Sequence, residues 1–83
     1  MPYKILVVDN EPTDLECTKI VLEEDPDFQV TGFLDPDTAI KSIRENPYQY
    51  AVVLLDYRMP KDGIQVAQEM LAINPHLIIA FNS

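Results

Sequence analysis

Three unbroken apolar runs, Ile5–Val8, Ala51–Leu55 and Leu77–Phe81, recur along the chain, and the first two end directly in an acid, Asp9 and Asp56. A short run without a polar break reads as a strand buried on both faces, the kind that builds parallel sheets. The seven prolines and two glycines punctuate what lies between. Tyr3–Asp9 is the first strand. Thr13-Asp14-Leu15-Glu16 reads as a capping box, opening a helix to about Glu24 with Cys17, Ile20, Val21 and Leu22 as its apolar members. Asp25-Pro26-Asp27 stops it, and Phe28–Leu34 is a second strand. Asp35 caps a second helix with Pro36 at its first position, Ala39, Ile40 and Ile43 as its buried stripe, and Asn46-Pro47 as its end. Ala51–Asp56 is the third strand and Tyr57–Asp62 a loop. Gly63 leads into a third helix with Ile64, Ala67, Met70 and Leu71 on one face, closed by Asn74-Pro75, and Leu77–Phe81 is the fourth strand.

The order β-α-β-α-β-α-β predicts right-handed crossovers and an α/β doubly wound parallel sheet. At 83 residues the chain is one domain at most, and 47% apolar content excludes a disordered tail. Six basic against fourteen acidic residues give a net charge of −8, so phosphate backbones are repelled and direct nucleic-acid binding is excluded. No apolar run approaches a membrane span. A single cysteine and the lack of a basic leader fit a cytoplasmic setting.

In such sheets chemistry sits beyond the carboxyl ends of the strands. The first strand delivers Asp9-Asn10-Glu11 and the third delivers Asp56, an expectation of three carboxylates in one crevice. Like charges at short range destabilise the fold unless a cation neutralises them, and oxygen-only ligands favour Mg²⁺ over zinc or copper. The plainer reading makes each acid a helix cap. It suits Asp56 poorly, because a loop follows that strand. Other single residues read as structural: Cys17 as a buried thiol, His76 as an exposed loop residue, Tyr48, Tyr50 and Tyr57 as strand-edge packing, and Glu23-Glu24-Asp25 as a solvated helix end.

Lys4-Ile5-Leu6-Val7-Val8-Asp9-Asn10-Glu11-Pro12 resembles the opening of a response-regulator receiver domain. Val53-Leu54-Leu55-Asp56-Tyr57-Arg58-Met59-Pro60, followed by Asp62-Gly63, resembles its phosphoacceptor segment. The resemblance implies a flavodoxin-like fold for residues 1–83 that is incomplete, with the family's fifth strand, its phosphate-binding lysine and its last helices expected to be absent after the fourth strand. It further implies that Asp56 takes a phosphoryl group from a histidine kinase or phosphotransfer protein. Asp9, Asn10, Asp56 and the Arg58 backbone carbonyl would hold Mg²⁺, with Glu11 at the rim. The family's Ser or Thr at the end of the fourth strand falls on Asn82 or Ser83. Three departures stand out: the family's second adjacent acid is Asn10 here, the segment from Met59-Pro60 to Asp62-Gly63 is one residue shorter than usual, and no lysine of residues 1–83 stands where the family's phosphate-binding lysine is expected, Lys61 lying in the wrong loop.

Rival classes fare less well. An aspartate-nucleophile hydrolase needs a second acid where Arg58 stands, and two glycines cannot build a dinucleotide-binding loop. The alternative kept open is a pseudo-receiver, the same fold used for protein contact without phosphorylation. In either case the fourth strand is expected as an open edge with an uncovered sheet face beside it, which predicts a homodimer.

Overall fold

The computed structural model describes residues 3–56 and 62–82. Within them the chain runs β1 (Tyr3–Val8), α1 (Pro12–Leu22), β2 (Phe28–Phe33), α2 (Pro36–Glu45), β3 (Val52–Asp56), α3 (Gly63–Ile73) and β4 (Ile78–Asn82). The strands form one parallel sheet in the order β2-β1-β3-β4. That is the expected doubly wound α/β architecture. Register sets Ile5 opposite Val30 and Val52, Val7 opposite Gly32 and Leu54, and Val52 opposite Ile78.

Alternate residues of each strand face opposite ways, so the sheet has two unequal covers. On one face Leu6, Val8, Val53 and Leu55 pack against α2, through Ala39, Ile40 and Ile43, and against α3, through Val66, Ala67 and Met70. Partial burial of Phe33, Ile79 and Phe81 extends this larger core to both outer strands. On the other face, among the described residues, α1 lies over β1 and β2, and Ile5, Val7 and Val30 meet Leu15, Leu22, Phe28 and, on β3, Leu54. Gly32 permits that approach: a Cβ there would stand 2.9 Å from Leu15 Cδ1.

Each helix start has its own chemistry. α2 begins as expected, with the Asp35 carboxylate accepting from the Asp37 and Thr38 amides and from Thr38 Oγ1. At α3 the Asp62 carboxylate accepts from the Ile64 amide. α1 departs from the expected capping box. Pro12 takes the first helical position and Glu11 is the N-cap, with no side-chain hydrogen bond, so Thr13 lies inside the helix. Proline fixes φ and gives up an amide that needed no partner there, which lets the helix start two residues ahead of the start a Thr13 cap would give. α1 also ends at Leu22 rather than Glu24. Glu23 is tied back to the sheet, accepting from the Val30 amide, so the acidic end is not purely solvated.

Burial corrects three further expectations. Cys17 is exposed, because α1 turns Leu15 and Leu22 toward the sheet and Cys17 away from it. On α3 the buried positions are Gly63, Val66, Ala67 and Met70, while Ile64 and Leu71 are exposed. Tyr48 is exposed, whereas Tyr50 is buried with its hydroxyl 2.9 Å from Ser42 Oγ. His76 is exposed as expected, and its amide donates to buried Asn74. Asn74 Nδ2 donates in turn to the Pro47 carbonyl at 2.8 Å, locking the end of α3 to the end of α2.

Candidate functional site

The parallel sheet carries the carboxyl ends of β1 and β3 side by side. Val8 is the register partner of Leu55, so the residues that follow them, Asp9 and Asp56, emerge at the same level. Both are buried, at 5% and 4% exposure, although both are carboxylic acids. Backbone hydrogen bonding holds Asp9 in place: its amide donates to the Phe33 carbonyl at 3.0 Å, and its Oδ1 accepts from the Glu11 amide at 2.9 Å. The Asp9 and Asp56 carboxyls are close enough to act on one another. A cleft of about 210 Å³ opens above them, lined by Asn10, Glu11, Asp14 and Asp56.

Electrostatics at this point are unfavourable for two free carboxylates. Burial pushes the Asp9 carboxyl above its ordinary value. The nearby Asp56 carboxyl and the charge of Asp14 push the same way. The Glu11 amide opposes them. A hard divalent cation would relieve the remaining repulsion. The donors are all oxygens, which suits Mg²⁺. Among the described residues no three His, Cys, Asp or Glu side chains converge as a ready-made ligand set. Asp9 and Asp56 form the close pair, and Glu11 lines the exposed cleft mouth instead of joining them. Two carboxylates still fit Mg²⁺, which keeps several of its waters and is usually bound through only one or two.

The remaining candidates divide by position. Asn10 lines the cleft and is exposed. On β4, Asn82 is the register partner of Asp56, which places it across from the buried pair. Arg58, Tyr57, Met59-Pro60, Lys61 and Ser83 lie outside the described residues. Asp14 was missed by sequence reasoning, which absorbed it into a capping box. The available signal was its place in the first turn of a helix that starts immediately beyond Asp9-Asn10-Glu11.

The response regulator receiver domain family matches residues 5–83. The chain belongs to that family. Among curated relatives, the receiver shares 32% identity over 76 residues with the transcriptional regulatory protein ComA of Bacillus subtilis, covering 88% of this chain and 35% of that protein. It is 40% identical over 86 residues to a protein-glutamate methylesterase/protein-glutamine glutaminase of Pseudoalteromonas atlantica, covering all of this chain and 22% of that one. The chain thus spans about a third or less of these relatives' length. Among solved structures, a response regulator receiver domain protein from Clostridium thermocellum superposes with a TM-score of 0.89 at 32% identity, over 95% of this chain and 63% of that one. A complex of the histidine kinase ThkA with the response regulator TrrA matches with a TM-score of 0.82 at 30% identity, over 95% of this chain and 66% of the matched chain. Among the described residues no helix of this receiver is long and apolar enough to cross a membrane.

Proposed function

We propose that residues 1–83 act as a phosphorylation switch in the cytoplasm, with Asp56 as the phosphoacceptor. One observation carries this reading: in a receiver-family chain, two buried carboxyls, Asp9 and Asp56, meet at the ends of adjacent strands beneath an open cleft. A fold tolerates such a pair when the charge it concentrates is used. The partner we infer is a histidine kinase or phosphotransfer protein, in line with the kinase complex among the structural relatives. An Asp56 carboxylate oxygen would form the new P–O bond as the P–N bond of a phosphohistidine breaks. The imidazole leaves with the electron pair and is protonated by solvent. Asp9, Asp56 and the Asn10 side-chain oxygen would hold Mg²⁺, whose positive charge would offset the repulsion between carboxylate and phosphoryl oxygens. Asn82, across from Asp56, is the residue we assign to sensing the added phosphoryl group.

Incubation with a small acyl phosphate and Mg²⁺, read by intact mass under mild conditions, tests the reading. One phosphoryl group is expected on Asp56 in a form that carries the family's fifth strand and lysine, none on the Asp56→Asn variant of that form, and little or none on residues 1–83 alone. A longer form that binds Mg²⁺ yet stays unlabelled, both by the acyl phosphate and by a phosphorylated kinase, would instead support the pseudo-receiver.

A further inference from the structure

Asn10 stands where a second adjacent acid is usual in this family, so the close pair Asp9 and Asp56 brings only two negative charges to a cation. The cleft contains a third acid of a different origin. Asp14 sits in the first turn of α1, lines the same cleft as Asn10 and Asp56, and its charge is felt at Asp9. Among the described residues its carboxylate takes part in no side-chain hydrogen bond of the kind that ties Asp9, Asp35 and Asp62 to nearby amides. The helix turns it to the site side: Glu23 at the far end of α1 reaches the β2 edge, and Asp14 lies on the opposite flank, toward β3. Yet Asp14 does not converge with Asp9 and Asp56 as a direct ligand set.

We propose that Asp14 is a positioning residue for the site's Mg²⁺, gripping a metal-bound water across the cleft and replacing from α1 the negative charge that Asn10 lacks. The inference rests on the reading of Asp9 and Asp56 as the Mg²⁺ site. Mg²⁺ retains waters in protein sites, and a carboxylate one water away orients them while adding charge. An amide at Asn10 contributes an oxygen without charge, so the outer carboxylate carries more of the selectivity for a divalent ion here than where two acids are adjacent.

The test is Mg²⁺ affinity itself, read by isothermal titration and by the Mg²⁺-dependent rise in melting temperature, on wild type, Asp14→Asn, Asp14→Glu and Glu16→Gln. Glu16 is the control, because it removes one charge from the same stretch of α1 without lining the cleft. Loss of an outer-shell partner weakens metal binding about 10-fold or more, and Asp14→Asn is expected to do so. Asp14→Glu should recover part of that affinity, and Glu16→Gln should leave it unchanged. Any cost of Asp14→Asn to helix stability would appear equally in EDTA and is subtracted by comparing the metal-dependent gain alone. Equal Mg²⁺ affinity in wild type and Asp14→Asn, or an equal loss in Glu16→Gln, would overturn the role of Asp14 and leave the site standing. No Mg²⁺ binding by the wild type would overturn the site as well.

Discussion

Asp9 is buried beside a second acid, and a single substitution isolates what that arrangement does to stability. The causes that raise its carboxyl, burial first and then Asp56 and Asp14, all act against the charged form. A raised carboxyl favours the folded state below its ordinary value of 3.8, and that contribution is lost as pH climbs through the raised value. At neutral pH without divalent cations, Asp9 therefore opposes folding. Asp9→Asn keeps an oxygen for the Glu11 amide and removes the charge. In EDTA at pH 7 the variant is expected to resist urea better than wild type, with the difference shrinking toward zero below pH 4. Mg²⁺ should stabilise wild type and do little for the variant, since a ligand stabilises only the state that binds it. A variant less stable than wild type in EDTA at pH 7 would show that the Asp9 carboxylate is held favourably after all.

At the scale of the elements, helix starts separate what the sequence states clearly from what it states twice. Asp35-Pro36 is unambiguous, because the only residue able to cap stands directly before the proline, and the structure forms that cap. At α1, Pro12 and the Thr13–Glu16 pair are overlapping signals for starts two residues apart, and the proline prevails. Asp35→Ala should therefore cost about 1 kcal/mol in urea unfolding, whereas Thr13→Ala, inside the helix, should be neutral or slightly stabilising. A loss at Thr13 matching that at Asp35 would restore the capping box. The same contrast explains what else was legible. β1, β3 and β4 follow from uninterrupted apolar runs, which have few other ways to be buried, while β2 is marked by the turn residues around it and the parallel order by the helices between the strands. The faces of α1 and α3 were harder to read, since each carries more apolar residues than one stripe can hold. Cys17, Ile64 and Leu71 are the surplus, left outside once Leu15, Leu22, Val66 and Met70 meet the sheet. In the site, Asp9 and Asp56 were readable as strand-end acids. The choice of Asn82 as the residue across from Asp56 depends on strand register, which spacing alone does not determine.

For the molecule as a whole, the unequal covering of the sheet has the largest consequence. Among the described residues, the face that carries α1 has no helix over β3 and β4, where Val52 and Leu54 are half-buried and Ile78 is 63% exposed. Parallel sheets expect both faces covered. On α1, Val21, 63% exposed, and Cys17 line a surface pocket with Thr18 and Leu22. Among the described residues each copy thus offers both a sheet face without a helix and an apolar helix flank. A two-fold arrangement sets the helix of one copy onto that sheet face of its partner, the self-complementary pattern of an isologous dimer. A stable interface of about 800 Å² per partner would take roughly a sixth of the 5111 Å² surface. We therefore propose that residues 1–83, taken alone, form a homodimer through this face and the β4 edge. Sedimentation velocity at micromolar concentration should find mostly dimer for the wild type. Ile78→Asp and Val21→Asp, which place charge on the sheet and on the helix flank, should each shift it toward monomer while leaving the core of α2, α3 and the sheet intact. A wild type that sediments as a monomer and melts sharply would mean that the exposed Ile78 and Val21 are tolerated by this small fold without a second copy to cover them.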